Sequence, residues 1–304
     1  MQEQTITPLS SICFPAQILK QFVSPYQKVE FVKQGDDFVL FIDGDMQLCS
    51  IDEYRYHEAL VHPAMSASGA TDNDRKQVLL LGAGDGLAMR EVLKWPEVER
   101  AVLIDLDESI VDLAINEPLL SNLNQHSFSD PKVELIFADA FAAIADLTDI
   151  FDVIIIDFPD AVVDVISKLY SQEFYAKLLP RLAENGAIGC QSSSPFFAPK
   201  ATACIRKTMQ SAGLVVQQYV ADVPTFGPWG FSLAARQAIN ISNQLALPIP
   251  TRYLTPAVMQ NMFLWPPDLK EDNVEINSLS NPVIVNYREN PRWEAYCRVD
   301  KIGR

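Results

Sequence analysis

From residue 28 the chain runs in short apolar stretches of strand length: residues 28–33, 37–42 and 46–51. Asp43-Gly44-Asp45 between the last two predicts a tight hairpin, because glycine supplies the positive φ that such a turn needs. Residues 52–62 change to helical spacing, with Asp52 as the expected N-cap and Tyr56 and Leu60 on one face. Residues 66–75 are small and polar, the composition of a linker. The pattern therefore predicts a small N-terminal β-domain over residues 1–65.

Beyond Lys76, buried strands alternate with helices. Strands are expected at 78–81, 101–104, 133–137, 152–156 and 187–191, and helices at 87–94, 109–116, 171–182 and 200–212. Stops are supplied by Trp95-Pro96, Asn185-Gly186 and Gly213. Continuous apolar strands separated by helices predict an α/β, Rossmann-like, doubly wound and mainly parallel sheet of the methyltransferase-like kind, over residues 70–240. Residues 241–304 are rich in proline (Pro248, Pro250, Pro256, Pro266, Pro267) but also carry Phe263, Leu264 and Trp265. Such residues predict an extension packed on the core.

Charge narrows the possible partners. The 304 residues carry 24 Lys and Arg against 39 Asp and Glu, a formal net charge of −15. A chain this acidic is poorly suited to non-specific binding of nucleic acid or anionic membrane and well suited to cations. No apolar run is long enough to span a bilayer, and Met1-Gln2-Glu3-Gln4 lacks the basic and apolar regions of a signal peptide. The five cysteines form no CxxC, and the three histidines form no i,i+4 pair, so no metal site is expected. A reducing cytoplasm is the expected setting.

The candidate chemistry lies at the strand ends. Residues 79–86, Leu-Leu-Leu-Gly-Ala-Gly-Asp-Gly, are a strand running into a glycine turn (Gly82, Gly84, Gly86) that lets a nucleoside approach the backbone. Asp105 closes the second strand, 19 residues after Gly86, where a carboxylate commonly grips a ribose. Asp85, Asp105, Asp139 and Asp157 follow four successive strands. In an open α/β sheet those ends converge on the ligand crevice.

Asp43-Gly44-Asp45-Met46-Gln47, Asp52-Glu53-Tyr54-Arg55-Tyr56-His57-Glu58 and the glycine turn resemble the polyamine aminopropyltransferases, the spermidine and spermine synthase family. So do Asp105-Leu106-Asp107-Glu108, Asp139-Ala140-Phe141, Asp157-Phe158-Pro159-Asp160, Pro224-Thr225-Phe226 and Trp229-Gly230-Phe231. Tyr253-Leu254-Thr255-Pro256 and the run from Phe263 to Asp268 are similar to a bacterial branch often fused to membrane helices. The resemblance implies transfer of an aminopropyl group from decarboxylated S-adenosylmethionine to a polyamine, with release of 5′-methylthioadenosine. It places Gln27, Asp105 and Asp139 on the nucleoside, and Gln47 and Asp85 on the sulfonium side chain and its amine. Tyr56, His57 and Asp160 would line the acceptor channel, and Asp157, with Tyr56 nearby, would take the proton. It further implies a homodimer, and no metal or redox cofactor, since a sulfonium is already a good leaving group.

The motifs depart from the family pattern at Ala83 and Leu87 in the glycine turn, at Asp105 where a glutamate is usual, and at Phe158, Pro159, Ala161 and Phe226 on the acceptor side. The acceptor's identity stays open. Two other readings share this framework: an S-adenosylmethionine-dependent methyltransferase, and a catalytically silent polyamine- or nucleoside-binding protein. Asp85 argues against the first, because it would repel the methionine carboxylate. Phe226, Trp229 and Phe231 suit a core as well as a ligand wall, and His62 and His126 read as structural.

Overall fold

The structure, a computed structural model, describes residues 16–69, 75–161, 163–241 and 245–287. β1 (Ala16–Val23), β2 (Lys28–Gln34), β3 (Asp37–Ile42) and β4 (Asp45–Cys49) form an antiparallel sheet in chain order. The hairpin forms as its dipeptide predicts, with Asp43 and Gly44 at φ of 52° and 91°. Val29, Phe31, Leu40 and Leu48 turn inward onto Leu87, Ile110, Leu113 and Leu120 of the following domain. β1 was not predicted; it is an edge strand, mostly exposed, and so shows no clear apolar alternation.

Helix α1 (Glu53–Ala67) runs five residues beyond its expected end and through Pro63. Proline lacks the N–H that would bond the carbonyl four residues earlier, that of Ala59. The Tyr219 hydroxyl donates to that carbonyl at 2.8 Å, so the orphaned acceptor is satisfied and the helix continues. α1 packs on the larger sheet, against its strands from β8 to β11 described below, although the sequence pattern assigned this segment to the N-terminal unit.

The larger sheet contains β5 (Lys76–Gly82), β6 (Val98–Asp105), β7 (Val133–Phe137), β8 (Phe151–Asp157), β9 (Leu182–Gln191), β10 (Val215–Val223) and β11 (Gly227–Ala235). Their order is β10-β11-β9-β8-β5-β6-β7; the last five are parallel, and β10 and β11 are antiparallel additions. The expected doubly wound sheet is present. Its central strands read as unbroken apolar runs because both faces are covered. Leu79, Leu81, Ile154 and Ile156 enter one core, and Val78, Leu80, Val153 and Ile155 enter the other.

The helices α2 (Leu87–Leu93), α3 (Glu108–Asn116), α7 (Gln172–Leu178) and α8 (Pro199–Ser211) occupy expected places, while α4 (Pro118–Leu123), α5 (Ala140–Asp146) and the single turn α6 (Asp164–Ser167) were not predicted. α7 ends four residues early, because Pro180 cannot continue it, and Asn185-Gly186 lie inside β9 instead of stopping a helix.

The proline-rich segment packs on both cores. Leu245, Ile249, Leu254, Met259 and Met262 join one, and Val274, Val283 and Ile284 join the other. Val220 N–H donates to Met262 C=O at 3.0 Å, tying this segment to β10. Among the described residues no helix is long and apolar enough to cross a membrane.

Candidate functional site

From β5 the chain runs outward through β6 to the edge strand β7 and then returns to β8 on the other side of β5, and the crevice opens at that switch point. Gly82 pairs in register with Asp157, and a side chain on Gly82 would strike the Asp157 carbonyl. A Cβ on Gly84 would come within 2.8 Å of Asp105 Oδ2, so this glycine lets the turn lie against that carboxylate. Gly86 starts α2 at φ 80°. Ala83 holds a left-handed φ of 69°, a strained geometry for alanine at the place where the motif departs from glycine.

Three carboxylates meet at this crevice. Asp85 Oδ1 accepts from Leu87 N–H at 2.9 Å, and Asp105 Oδ1 accepts from Asp107 N–H at 2.9 Å. Tyr56 Oη donates to Asp157 Oδ1 at 2.6 Å. Burial pushes Asp105 up to about 6, with the charges of Asp107 and Asp85 adding to the effect against bonds from backbone amides. Burial likewise pushes Asp157 up to about 6; the positive charge of His57 opposes this, while Asp85 and Asp105 reinforce it. A carboxyl raised in this way, joined to a phenol, can accept a proton near neutrality.

α1 distributes its polar side chains in four directions. Asp52 stands at the N-cap position as expected, but its side chain makes no cap bond; its carboxylate accepts from Thr225 N–H at 2.7 Å and Thr225 Oγ1–H at 2.9 Å. The expected cap thus holds the Pro224-Thr225-Phe226 turn. Glu53 and His57 bond to one another, and His57 is 2% exposed, standing behind Asp85 with Nε2 3.7 Å from Asp85 Oδ2. His57 reaches the crevice through Asp85, not as an open wall of a channel. Glu58 faces away and accepts the backbone N–H groups of Arg252, Tyr253 and Leu254. Stacking reinforces this join: Arg55 lies over Tyr253 and Arg252 over Tyr54. Phe226, Trp229 and Phe231 surround Tyr56, with ring centroids at 6.2, 6.3 and 5.3 Å.

The remaining expected residues have partners of their own. Asp139 caps α5 through Phe141 N–H and pairs with Lys168. Gln27 Nε2 donates to Asp107 Oδ2 at 2.9 Å, beside Ser24, and Gln47 Nε2 donates to the Asp45 carbonyl at 3.3 Å. Asp160 accepts from Ser193 Oγ–H at 3.1 Å and from Gln191 Nε2 at 3.3 Å.

Sequence reasoning missed that last group. Gln191 Nε2 also donates to the Phe158 carbonyl and to Tyr170 Oη at 2.7 and 2.6 Å, so one amide ties the ends of β8 and β9 to the segment after α6. The signal was present as Gln191-Ser192-Ser193-Ser194, a polar run directly after an apolar strand. It is the same strand-end logic that exposed the aspartates. Among the described residues, no group of three or more His, Cys, Asp or Glu side chains could hold a metal ion.

The spermine/spermidine synthase domain family matches residues 53–244. The chain is 42% identical over 286 residues to a Ralstonia nicotianae protein named polyamine aminopropyltransferase 2, covering 94% of this chain and 55% of that one. A Bacillus cereus protein, also named polyamine aminopropyltransferase 2, is 41% identical over 86% of this chain and 71% of its own length. The chain thus spans about half the length of the Ralstonia relative. Among solved structures, a spermidine synthase in complex with the transition state analogue AdoDATO superposes with a TM-score of 0.76 at 25% identity, over 84% of this chain and 87% of that one. The spermidine synthase from Thermotoga maritima shares the fold, with a TM-score of 0.74 at 24% identity over 84% and 87%.

Proposed function

The chain belongs to the spermine/spermidine synthase family, and on that premise we propose that it transfers an aminopropyl group from decarboxylated S-adenosylmethionine to an amine of a polyamine, releasing 5′-methylthioadenosine. The observation that carries this reading is the Tyr56–Asp157 pair, half-buried at the sheet's switch point beside Asp85. The attacking nitrogen forms a bond to the propyl carbon next to the sulfonium. The carbon–sulfur bond breaks with its electron pair going to sulfur, and the nitrogen's proton passes to Asp157.

The energetic difficulty is the nucleophile. An alkylamine with a pKa near ~10.4 must lose a proton, which at pH 7 costs about 4.6 kcal/mol. A carboxylate beside an ammonium favours the charged form, so Asp157 does not make the amine more acidic. It orients the nitrogen and takes the proton at the half-buried end of the crevice. In this reading Gln27, Asp105 and Asp139 hold the nucleoside, Gln47 and Asp85 the amine-bearing chain, and Asp160 the far end of the acceptor. The reading extends to a homodimer in a reducing cytoplasm, consistent with the free thiols of Cys49, Cys190 and Cys204. Sedimentation of the purified protein tests the dimer.

The direct test incubates the protein with decarboxylated donor and a panel of diamines and triamines, and identifies the products by mass. Release of methylthioadenosine with a lengthened amine supports the reading. Binding of both ligands with no product supports the silent homologue. Methylation by S-adenosylmethionine supports the methyltransferase.

Two further outcomes are expected. Asp157 is raised to about 6 and acts as a base, so protonation removes activity. At saturating donor, kcat/KM for the acceptor falls about tenfold per pH unit below that value. A profile that stays flat to pH 5 contradicts the assignment. Asp105→Ala removes a carboxylate from the ribose side and loses charged hydrogen bonds of about 1.5–3 kcal/mol each. Calorimetry should show decarboxylated donor and methylthioadenosine weakened together, and a selective loss of acceptor binding would mean that Asp105 is misplaced.

A further inference from the structure

Behind Asp85 runs a line of charged side chains that the transfer chemistry does not use. Lys94 Nζ lies 2.6 Å from Glu91 Oε2, and Arg90 Nε lies 2.8 Å from Glu91 Oε1. The Arg90 guanidinium forks onto the Glu53 carboxylate at 2.9 and 3.0 Å. Glu53 Oε2 meets His57 Nδ1 at 2.9 Å, and His57 Nε2 faces Asp85 Oδ2 at 3.7 Å. The signs alternate along the whole line, and Glu53, His57, Arg90 and Glu91 are all buried. Buried ion pairs are costly to desolvate, and apolar packing commonly stabilises a core as well. Stability alone therefore gives no reason for this line to end on the donor-side carboxylate.

Hydrogen-bond geometry fixes one proton of His57. Its Nδ1 faces two acceptors, the Glu53 carboxylate and the Glu53 carbonyl at 2.8 Å, so that nitrogen carries a hydrogen. A bare Nε2 would direct its lone pair at Asp85, whereas a protonated one is attracted to it. Burial opposes the charge, but Asp85 and Glu53 outweigh burial and lift His57 to about 10. The imidazolium is thus shared between two carboxylates. Without the charge on Glu53, Asp85 becomes its nearest counter-ion and is less able to receive another cation.

We propose that Glu53, gripped by Arg90, is a positioning residue for donor selection: through His57 it keeps Asp85 in place and unneutralised, and so sets the preference for a donor bearing an amine alone over one that also bears a carboxylate. The inference rests on the aminopropyl-donor reading above. Three ligands separate the terms by calorimetry. Methylthioadenosine has neither amine nor carboxylate and serves as the internal reference; decarboxylated S-adenosylmethionine has the amine, and S-adenosylmethionine has both.

In Glu53→Gln, the affinity ratio of decarboxylated donor to S-adenosylmethionine should fall about tenfold, the scale of one screened charge at this range. Methylthioadenosine binding should hold within about twofold, with donor KM raised and acceptor KM unchanged. Glu53→Asp, which keeps the charge, should restore part of the ratio. Adding Glu53→Gln to His57→Gln should change nothing further, since a residue acting through another is silent without it. If Glu53→Gln does not fold, Arg90→Lys loses the fork but keeps a cation, and should lower the same ratio by less. All three ligands weakening equally, an unchanged ratio, or additive effects in the double variant overturn the inference while wild-type protein still binds its donor. Wild-type protein that binds neither methylthioadenosine nor decarboxylated donor overturns the parent reading and this inference with it.

Discussion

Asp157→Asn should lower kcat by about 10²–10⁴-fold, the usual contribution of a positioned general base. The substitution preserves shape and leaves an oxygen for the Tyr56 hydroxyl, which now donates to Asp157 at 2.6 Å. What it removes is the ability to take a proton. Methylthioadenosine binding should survive, because Asp105 ends β6 and Asp139 caps α5, both apart from β8. The acid limb of the pH profile should vanish together with the rate. Asp160→Asn should behave differently and mainly raise acceptor KM, since it weakens an interaction common to ground and transition states. Steady-state kinetics at saturating acceptor decide the matter: near-normal kcat in Asp157→Asn would mean that another group takes the proton.

The second large effect concerns stability. Glu58 is 1% exposed and accepts three backbone N–H groups, from Arg252, Tyr253 and Leu254, at 2.6, 2.9 and 2.8 Å. Glu58→Ala strands those donors, each at a cost of roughly 1–3 kcal/mol when buried. Some rehydration of the segment will offset part of this, so a loss of about 3–5 kcal/mol in denaturant unfolding is expected. Glu58→Gln keeps one acceptor oxygen and should lose less. Limited proteolysis should find new cleavage near residues 251–254 in the alanine variant, and a loss under about 1 kcal/mol would show that the apolar contacts of Leu254 and Met259 hold the segment unaided.

How far the sequence carried depended on where each residue's partner lay. The five parallel strands were legible because burial on both faces leaves no polar interruptions from Val78 to Leu81 or from Val153 to Ile156. The β10–β11 pair was not, since Gln217 and Gln218 break the first strand's pattern and Gly227, Pro228 and Gly230 resemble a loop. The carboxylates Asp85, Asp105 and Asp157 could be read from their places at strand ends, a local property. Their neighbours could not. Asp52 reads as a helix cap from its own surroundings, but Thr225, 173 residues away, offers it an N–H and a hydroxyl together. Glu58 looked like one more letter of a site motif, and only tertiary packing turns it away from the crevice. His57 was expected among the acceptor contacts, yet its helix points it into the charged line behind Asp85.

Pro63 and Tyr219 are coupled through the Ala59 carbonyl. The Tyr219 hydroxyl is required because proline withholds an N–H from the Ala59 carbonyl. With alanine at 63 the helix would supply that N–H itself, and phenylalanine at 219 would become nearly neutral. With proline retained, phenylalanine strands a buried carbonyl, at about 1–3 kcal/mol. A lineage can therefore lose the hydroxyl freely only after it has lost the ring, and the order in which the two substitutions arise decides whether the intermediate survives.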